Sequence, residues 1–279
     1  MIYISTYPLP GERLTEFADA HAEDMGYELF YDNLSRLSAG SYEGRMKELI
    51  EQGKVSVHCP MEGCDLLADN GTELMRHTID MHKRCFELAQ AVGAPYVVIH
   101  PCSLEPFDSE KTLIRRLRLN ERMYMTAGLA EPYGVKILLE NIGSWRENNL
   151  MVTEEDFIAL SKGDKWGMLL DTGHANVNGW DIPSLIRTLG SRIKGFHLHD
   201  NDGMTDSHQP IYNGTIPWND VFAAISEMPS PPDLTVEYNP KYADDIMAAV
   251  EVIILITNKT IDKKSSHNPY TQDYARFFV

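Results

Sequence analysis

Eight times along this chain a short apolar run gives way to a longer stretch of helical periodicity, and few folds accommodate that alternation. The runs are Ile2–Thr6, Tyr27–Tyr31, Val55–His58, Tyr96–His100, Lys136–Glu140, Gly167–Asp171, Lys194–His197 and Leu234–Glu237. Helical patterns cover Glu12–Met25, Tyr42–Gln52, Glu73–Val92, Leu113–Pro132, Glu154–Ser161, Ile182–Leu189, Trp218–Met228 and Lys241–Asn258. Thr153 before Glu154, Glu155 and Asp156 reads as an N-cap with an acidic first turn, and Gly53, Gly93, Gly134 and Gly163 stand where helices should stop. Eight βα units in 279 residues predict an α/β fold, a single-domain (β/α)8 TIM barrel, since such barrels take about 250 residues. An open doubly wound sheet fits the count less well. The barrel is expected over residues 1–262, and 263–279, ending Tyr-Ala-Arg-Phe-Phe-Val, is expected as a tail packed on the barrel or on a partner.

Forty-one acidic against twenty-five basic side chains give a net charge of −16, which repels polyanions unless a local basic patch overrides it, so nucleic acid is disfavoured as a partner. Cys59, Cys64, Cys85 and Cys102 form no CxxC pair and are read as reduced, hence cytoplasmic. No secretory signal opens the chain, and its longest apolar stretch, near Ala248 to Thr257, contains Glu251 and is too short to span a membrane. With no GxGxxG, Walker sequence or nucleophile elbow, nucleotide cofactors and serine-type hydrolysis have no support.

Catalytic groups of such a barrel gather at the carboxyl ends of the strands. Strands three to eight each end in a ligand-type side chain: His58, His100, Glu140, Asp171, His197 and Glu237. His174, Asp206 and His208 follow closely. Any one of these could be a hydrogen-bonded strand end, but six together would repel one another or lie unpaired unless a cation sat among them. Oxygen and nitrogen donors without thiolate suit zinc, manganese, cobalt or magnesium. Alternation turns Cys59 away from the side that His58 faces, and Cys102 lies past its strand, so both are read as core.

The segments Leu138-Leu-Glu-Asn141, Leu170-Asp-Thr-Gly-His174 and Phe196-His-Leu-His-Asp200, followed by Asp206-Ser-His208, Gly214 and Trp218, resemble the xylose-isomerase-like TIM-barrel superfamily of sugar isomerases and epimerases, inosose dehydratases and endonuclease IV enzymes. For the epimerases the resemblance implies a divalent metal held by Glu140, Asp171, His197 and Glu237, a sugar, sugar-phosphate or polyol substrate, and a homo-oligomer. Glu140 and Glu237 would also transfer protons through an enediolate, with His174 on a substrate oxygen. Dehydration of a keto-polyol is a close variant. For the endonuclease branch the resemblance implies a zinc phosphodiesterase acting on abasic DNA, with three ions held by nine residues matching His58, His100, Glu140, Asp171, His174, His197, Asp206, His208 and Glu237. The expected metal count is therefore one to three.

Two departures bear on the choice. The endonuclease pattern His-Leu-Asn-Asp-Ser-Lys is replaced by His197-Leu-His-Asp-Asn-Asp202, which trades a phosphate-binding lysine for acid. The arginine that some epimerases carry beyond strand seven is missing from Asp202-Gly-Met-Thr-Asp206. The basic run Arg115-Arg-Leu-Arg118 is read as a solvated helix face. His21, His77, His82 and His267 are read as surface or helix packing, His199 as lying past the end of its strand, and Asp200 and Asn201 as shaping the following loop. Trp145 and Trp180 are open between a wall against a sugar face and loop packing.

Overall fold

A computed structural model describes residues 1–7, 25–31, 54–61, 63–102 and 109–265, without the side chains of 109–112 and 257–265. Eight parallel strands close into a barrel in sequence order: β1 Ile2–Ser5, β2 Met25–Phe30, β3 Val55–His58, β4 Val97–Ile99, β5 Ile137–Glu140, β6 Gly167–Asp171, β7 Ile193–Leu198 and β8 Asp233–Val236. The ring is closed by β8 on β1, with Ile2 opposite Leu234. This is the (β/α)8 architecture that the alternation predicts, each strand lying within two residues of its expected place.

A strand sends alternate side chains to opposite faces, and in a barrel those faces are the bore and the helical jacket. Val98, Leu138 and Leu169 point inward and, with Tyr96, form a small apolar cluster inside the bore. Their neighbours Val97, Ile99, Leu139, Leu170 and Phe196 join the main core between sheet and helices. One irregularity interrupts the pattern: between Met168 and Leu169 the register of β6 on β7 shifts, leaving Lys194 as an extra residue.

The described helices are α1 Glu73–Val92, α2 Ser109–Ala130, α3 Glu154–Leu160, α4 Thr172–Val177, α5 Ile182–Leu189, α6 Trp218–Ser226 and α7 Ile246–Ser265. Thr72 caps α1, Gly93 ends it in the left-handed region at φ 67°, and the face between buries Met75, His82, Phe86 and Ala89. Thr153 and Asp156 close the capping box of α3. The expected last helix begins instead as a 3-10 turn, Pro240–Asp245, because Tyr242 is non-helical, and α7 then runs through Ser265. The expected helix Tyr42–Gln52, that of Glu12–Met25 except Met25, which opens β2, and residues 266–279 of the expected tail lie outside the described residues.

The run Arg115–Arg118 corrects one expectation. Rather than facing solvent, Arg115 pairs with Asp65 at 2.8 Å and Arg118 with Asp69 at 2.7 Å, strapping the segment before α1 onto α2, while Arg116 pairs with Asp156 of α3 at 3.3 Å. The acidic partners lie some fifty positions upstream or forty downstream, so no local pattern reveals them. All four cysteines are buried, and none is in a disulfide among the described residues. Among the described residues no helix is long and apolar enough to cross a membrane.

Candidate metal centre

The six strand-terminal groups converge at one mouth of the barrel, all buried. Glu140 stands at their middle: its Oε2 lies 3.0 Å from His58 Nε2 and 2.9 Å from His100 Nε2, and its Oε1 3.1 Å from His197 Nδ1. Asp171 Oδ2 and Glu237 Oε2 approach the same His197 nitrogen at 3.6 and 3.3 Å. From the following loops His174 and His208 both direct Nε2 at Asp206 Oδ2, at 3.1 Å each. Thus the nine expected residues fall into overlapping groups whose ligand atoms lie within 4.8 Å of one another: His58, His100 and Glu140; Asp171, His197 and Glu237; His174, Asp206 and His208; with Glu140, Asp171 and His174 joining them.

The far side of each ring says what these nitrogens are for. His58 Nδ1 lies 2.7 Å from the Cys59 carbonyl, His174 Nδ1 2.8 Å from that of Asn141, and His208 Nδ1 2.9 Å from that of Glu237. A carbonyl only accepts, so in each ring Nδ1 carries the hydrogen and Nε2 presents a lone pair toward a carboxylate. That arrangement is repulsive unless Nε2 is protonated or a cation lies between. His197 is pinned the other way, with Nε2 donating to Glu28 Oε1 at 2.8 Å and Nδ1 facing the three carboxylates. Carboxylate and carbonyl anchors behind imidazoles are how metal-binding histidines are oriented.

The titration behaviour agrees. Burial alone would strip the proton from His174, His197 and His208, but the adjacent carboxylates overcome it, holding the first two well above the usual range and His208 up to about 9. His58 is raised in the same way by Glu140. At His100 burial wins and the ring is pushed down. Glu140, Asp171 and Asp206 resist burial and are held well below the carboxylate range by the histidines around them. Protons here do what a divalent ion would do with less crowding, so the nitrogen and oxygen donor set fits such an ion. Cys102 joins none of these ligand groups; burial and then Asp65 push its thiol up to about 12.

Each position of the quoted segments has a physical task. Asn141 clamps the backbone of Asp171, donating to its carbonyl at 3.0 Å and accepting from its N–H at 2.8 Å. Thr172 donates toward the carbonyls of His197 and His199, each at 3.0 Å. Gly173 leaves room for His199: a Cβ there would lie 1.9 Å from His199 Cε1. Asp200 accepts from Gly214 N, Ile216 N and Trp218 Nε1 at 2.9, 3.2 and 2.7 Å, fixing the loop that carries Asp206 and His208, while Asn201 binds Gly173.

Two buried groups escaped the sequence. Glu28 sits inside β2 rather than at its end, with Oε2 accepting from Ser56 at 3.2 Å. A lone acid among Tyr27, Leu29 and Phe30 is the signal that could have found it. His199 does lie one residue past the end of β7, as expected, yet its Nε2 still reaches Asp171 Oδ2 at 3.0 Å, with its ring stacked 3.8 Å from that of His208. Its Nδ1 and Asp206 Oδ1 make no hydrogen bond. His82 packs against Phe86 inside α1 and is pushed by burial down to about 4, His77 is exposed, and His21 and His267 lie outside the described residues. Trp180 packs on Phe157, whereas Trp145 is exposed with the Arg146 guanidinium 4.2 Å over its ring.

Comparison with known proteins follows the same lines. The family model described as xylose isomerase-like TIM barrel matches residues 14–254. An uncharacterized protein of Methanocaldococcus jannaschii is 28% identical over 169 residues, 60% of this chain and 63% of that one, so the chain spans less than two thirds of that relative. An inosose isomerase of Bacillus subtilis is 26% identical over 195 residues, 66% of this chain and 68% of the other. Among solved structures, a D-tagatose 3-epimerase-like protein superposes with a TM-score of 0.73 at 23% identity, covering 93% of this chain and 99% of its own. The IolI protein with a bound zinc atom also gives 0.73, at 19% identity, covering 93% and 98%. At these identities the structures speak for the fold.

Proposed function

The chain belongs to the xylose isomerase-like TIM barrel family, and we propose that it is a divalent-metal-dependent isomerase or epimerase of a sugar, sugar phosphate or related polyol. The observation that carries this reading is the approach of two glutamates, Glu140 and Glu237, to one imidazole nitrogen at 3.1 and 3.3 Å. Glu140, Asp171, His197 and Glu237 would hold the ion, with His58, His100, His174, Asp206 and His208 as further ligands if more than one is bound. A cation there supplies Lewis acidity, polarising a substrate carbonyl and its neighbouring hydroxyl. Zinc has precedent in the IolI protein's structure.

The protein groups divide the remaining work. Asp171 is fixed, one oxygen on the His174 N–H at 2.7 Å and the other on His199, which suits a ligand rather than a base. Glu237 rests one oxygen on the Ser5 hydroxyl at 2.9 Å and keeps the other toward the centre. One glutamate removes the proton beside the carbonyl, leaving an enediolate, and the other returns a proton: on the opposite face this is epimerisation, at the neighbouring carbon aldose–ketose isomerisation. Loss of a β-hydroxyl from the same enediolate would be dehydration. His174 would donate to a substrate oxygen. Deuterium uptake from solvent into a panel of ketoses and inososes tests this, with loss of exchange expected in Glu140→Gln and Glu237→Gln. Full exchange in both variants overturns it.

A second reading has one observation in its favour. Glu140 offers its two oxygens to separate groups, Oε2 to His58 and His100 and Oε1 to His197, as a carboxylate bridging two ions would. That favours the zinc phosphodiesterase. Elemental analysis separates the two: about three zinc ions per chain with nicking of abasic duplex DNA supports it, and one ion without nicking disposes of it.

A further inference from the structure

The barrel has a second mouth, at the amino ends of β4 to β8, with a cavity of about 460 Å3. That is the size class of small-molecule sites, which run from about 300 to 1,000 Å3. Its lining includes Tyr96, Lys136, Lys165, Trp166, Lys194 and Asp233. With Arg192 and Asp164 it holds four cations against two carboxylates, in a chain whose net charge is −16.

Local structure aims these groups. Tyr96 and Lys136 lie four residues below His100 and Glu140, so alternation turns them to the same inner face. Lys194 is the extra residue of the β7 irregularity. A Cβ on Gly167 would stand 2.7 Å from Lys194 Cγ, so only glycine lets that stem cross the inner side of β6. Arg192 is occupied by the carbonyls of Gly163 and Trp166 and builds the wall. Asp233 binds the Met1 amino group at 2.8 Å, and Asp164 accepts from Tyr124 at 3.3 Å. Lys136, Lys165 and Lys194 have no ion pair among the described residues. At the base, the Tyr96 hydroxyl is buried and makes no hydrogen bond. Burial first, then the carboxylates of Glu28 and Asp233, keep that phenol protonated, so it faces the cavity as a donor.

We propose that this amino-terminal mouth binds a small oxyanion of the phosphate or phosphate-monoester class, its charge met by Lys136, Lys165 and Lys194 and one oxygen accepting from Tyr96. The site is independent of the chemistry at the other mouth. Calorimetric titration of the full chain with inorganic phosphate, and separately with a hexose 6-phosphate, tests it. One saturable site per chain is expected for at least one probe. Affinity should fall at least about tenfold in Lys136→Met/Lys194→Met and about fivefold in Tyr96→Phe, as for lost charge-assisted and neutral hydrogen bonds. Tighter binding of the hexose phosphate that the double lysine variant weakens identifies an organic monoester, and equal binding identifies free phosphate. Absence of saturable heat with both probes, or affinity unchanged in the double lysine variant, overturns the proposal. Thermal melts establish that the variants are folded.

Discussion

The two mouths of the barrel are built from the same strands and obey opposite rules. His100 and Tyr96 flank β4, Glu140 and Lys136 mark the two ends of β5, and Asp171 and Gly167 the two ends of β6. At the carboxyl mouth imidazoles and carboxylates are buried and hydrogen-bonded to one another. At the amino mouth the lysines reach solvent, and the Tyr96 hydroxyl is buried without an answer. The lesson concerns mutual satisfaction: where polar groups are each other's only partners, removing one strands the rest, and where a group is already stranded its removal costs nothing.

Glu140→Gln should give the largest departure. It leaves His58, His100 and His197 facing an amide, and breaking a buried ionic network in this way costs about 3–5 kcal/mol. Urea denaturation together with metal content reads both losses, and a cost below about 1 kcal/mol would erase the contrast between the mouths. Glu28→Gln comes next in effect, expected to lower zinc affinity by about 10–100-fold in competition with a chromophoric chelator, because it frees the His197 ring without removing a ligand. Gly173→Ala should destabilise by about 1–3 kcal/mol through overlap with His199. Part of that loss should return in Gly173→Ala/His199→Ala, and strict additivity in the double-mutant cycle would show that the two do not touch.

Tyr96→Phe sharpens the comparison from the other side: stability should stay level or rise by up to about 1 kcal/mol, since an unanswered hydroxyl is removed. A clear loss would mean that the phenol is bonded in solution. The gentlest measurement is the pH dependence of the metal-free chain. His208 is raised in the folded state from 6.5 to about 9, so its protonated form stabilises the fold. That contribution is full below pH 6.5 and is lost as pH rises through about 9. Melting temperatures of chelator-treated protein should therefore decline across this window, and saturating zinc should flatten the decline.

What the sequence revealed depends on how local the cause is. Strand-terminal acids and histidines stand out because an apolar run must precede them, and the barrel follows from the repetition of that pattern. Glu28 is different. Its reason for being buried is His197, 169 residues away, and within β2 it reads only as an interruption. His199 stands just past β7, where it was expected, but the groups that draw it into the site, Asp171 28 residues upstream and the ring of His208 on the following loop, leave no mark in the strand pattern. The short helix α4 hides inside Asp171-Thr-Gly-His, where Asp171 caps it by accepting from His174 N. Arg115 to Arg118 carry the reverse lesson, a charged stripe that looks solvent-facing and is in fact a clasp.

The excursion that carries Asp206 and His208 is knotted at its root, where Asp200 holds Gly214, Ile216 and Trp218 and pairs with Gln209. Its outer bend, with Gly203 at φ 74° and Met204 exposed, makes no bond to Asp200; Gly203 N donates to Asn201 Oδ1 at 2.9 Å and Met204 N to Asp202 Oδ1 at 2.8 Å. Among the described residues, the tip from Met204 outward is held by local bonds to Asp202 alone. A reporter peptide grafted between Gly203 and Met204 could be carried there while the imidazole below keeps its bearing.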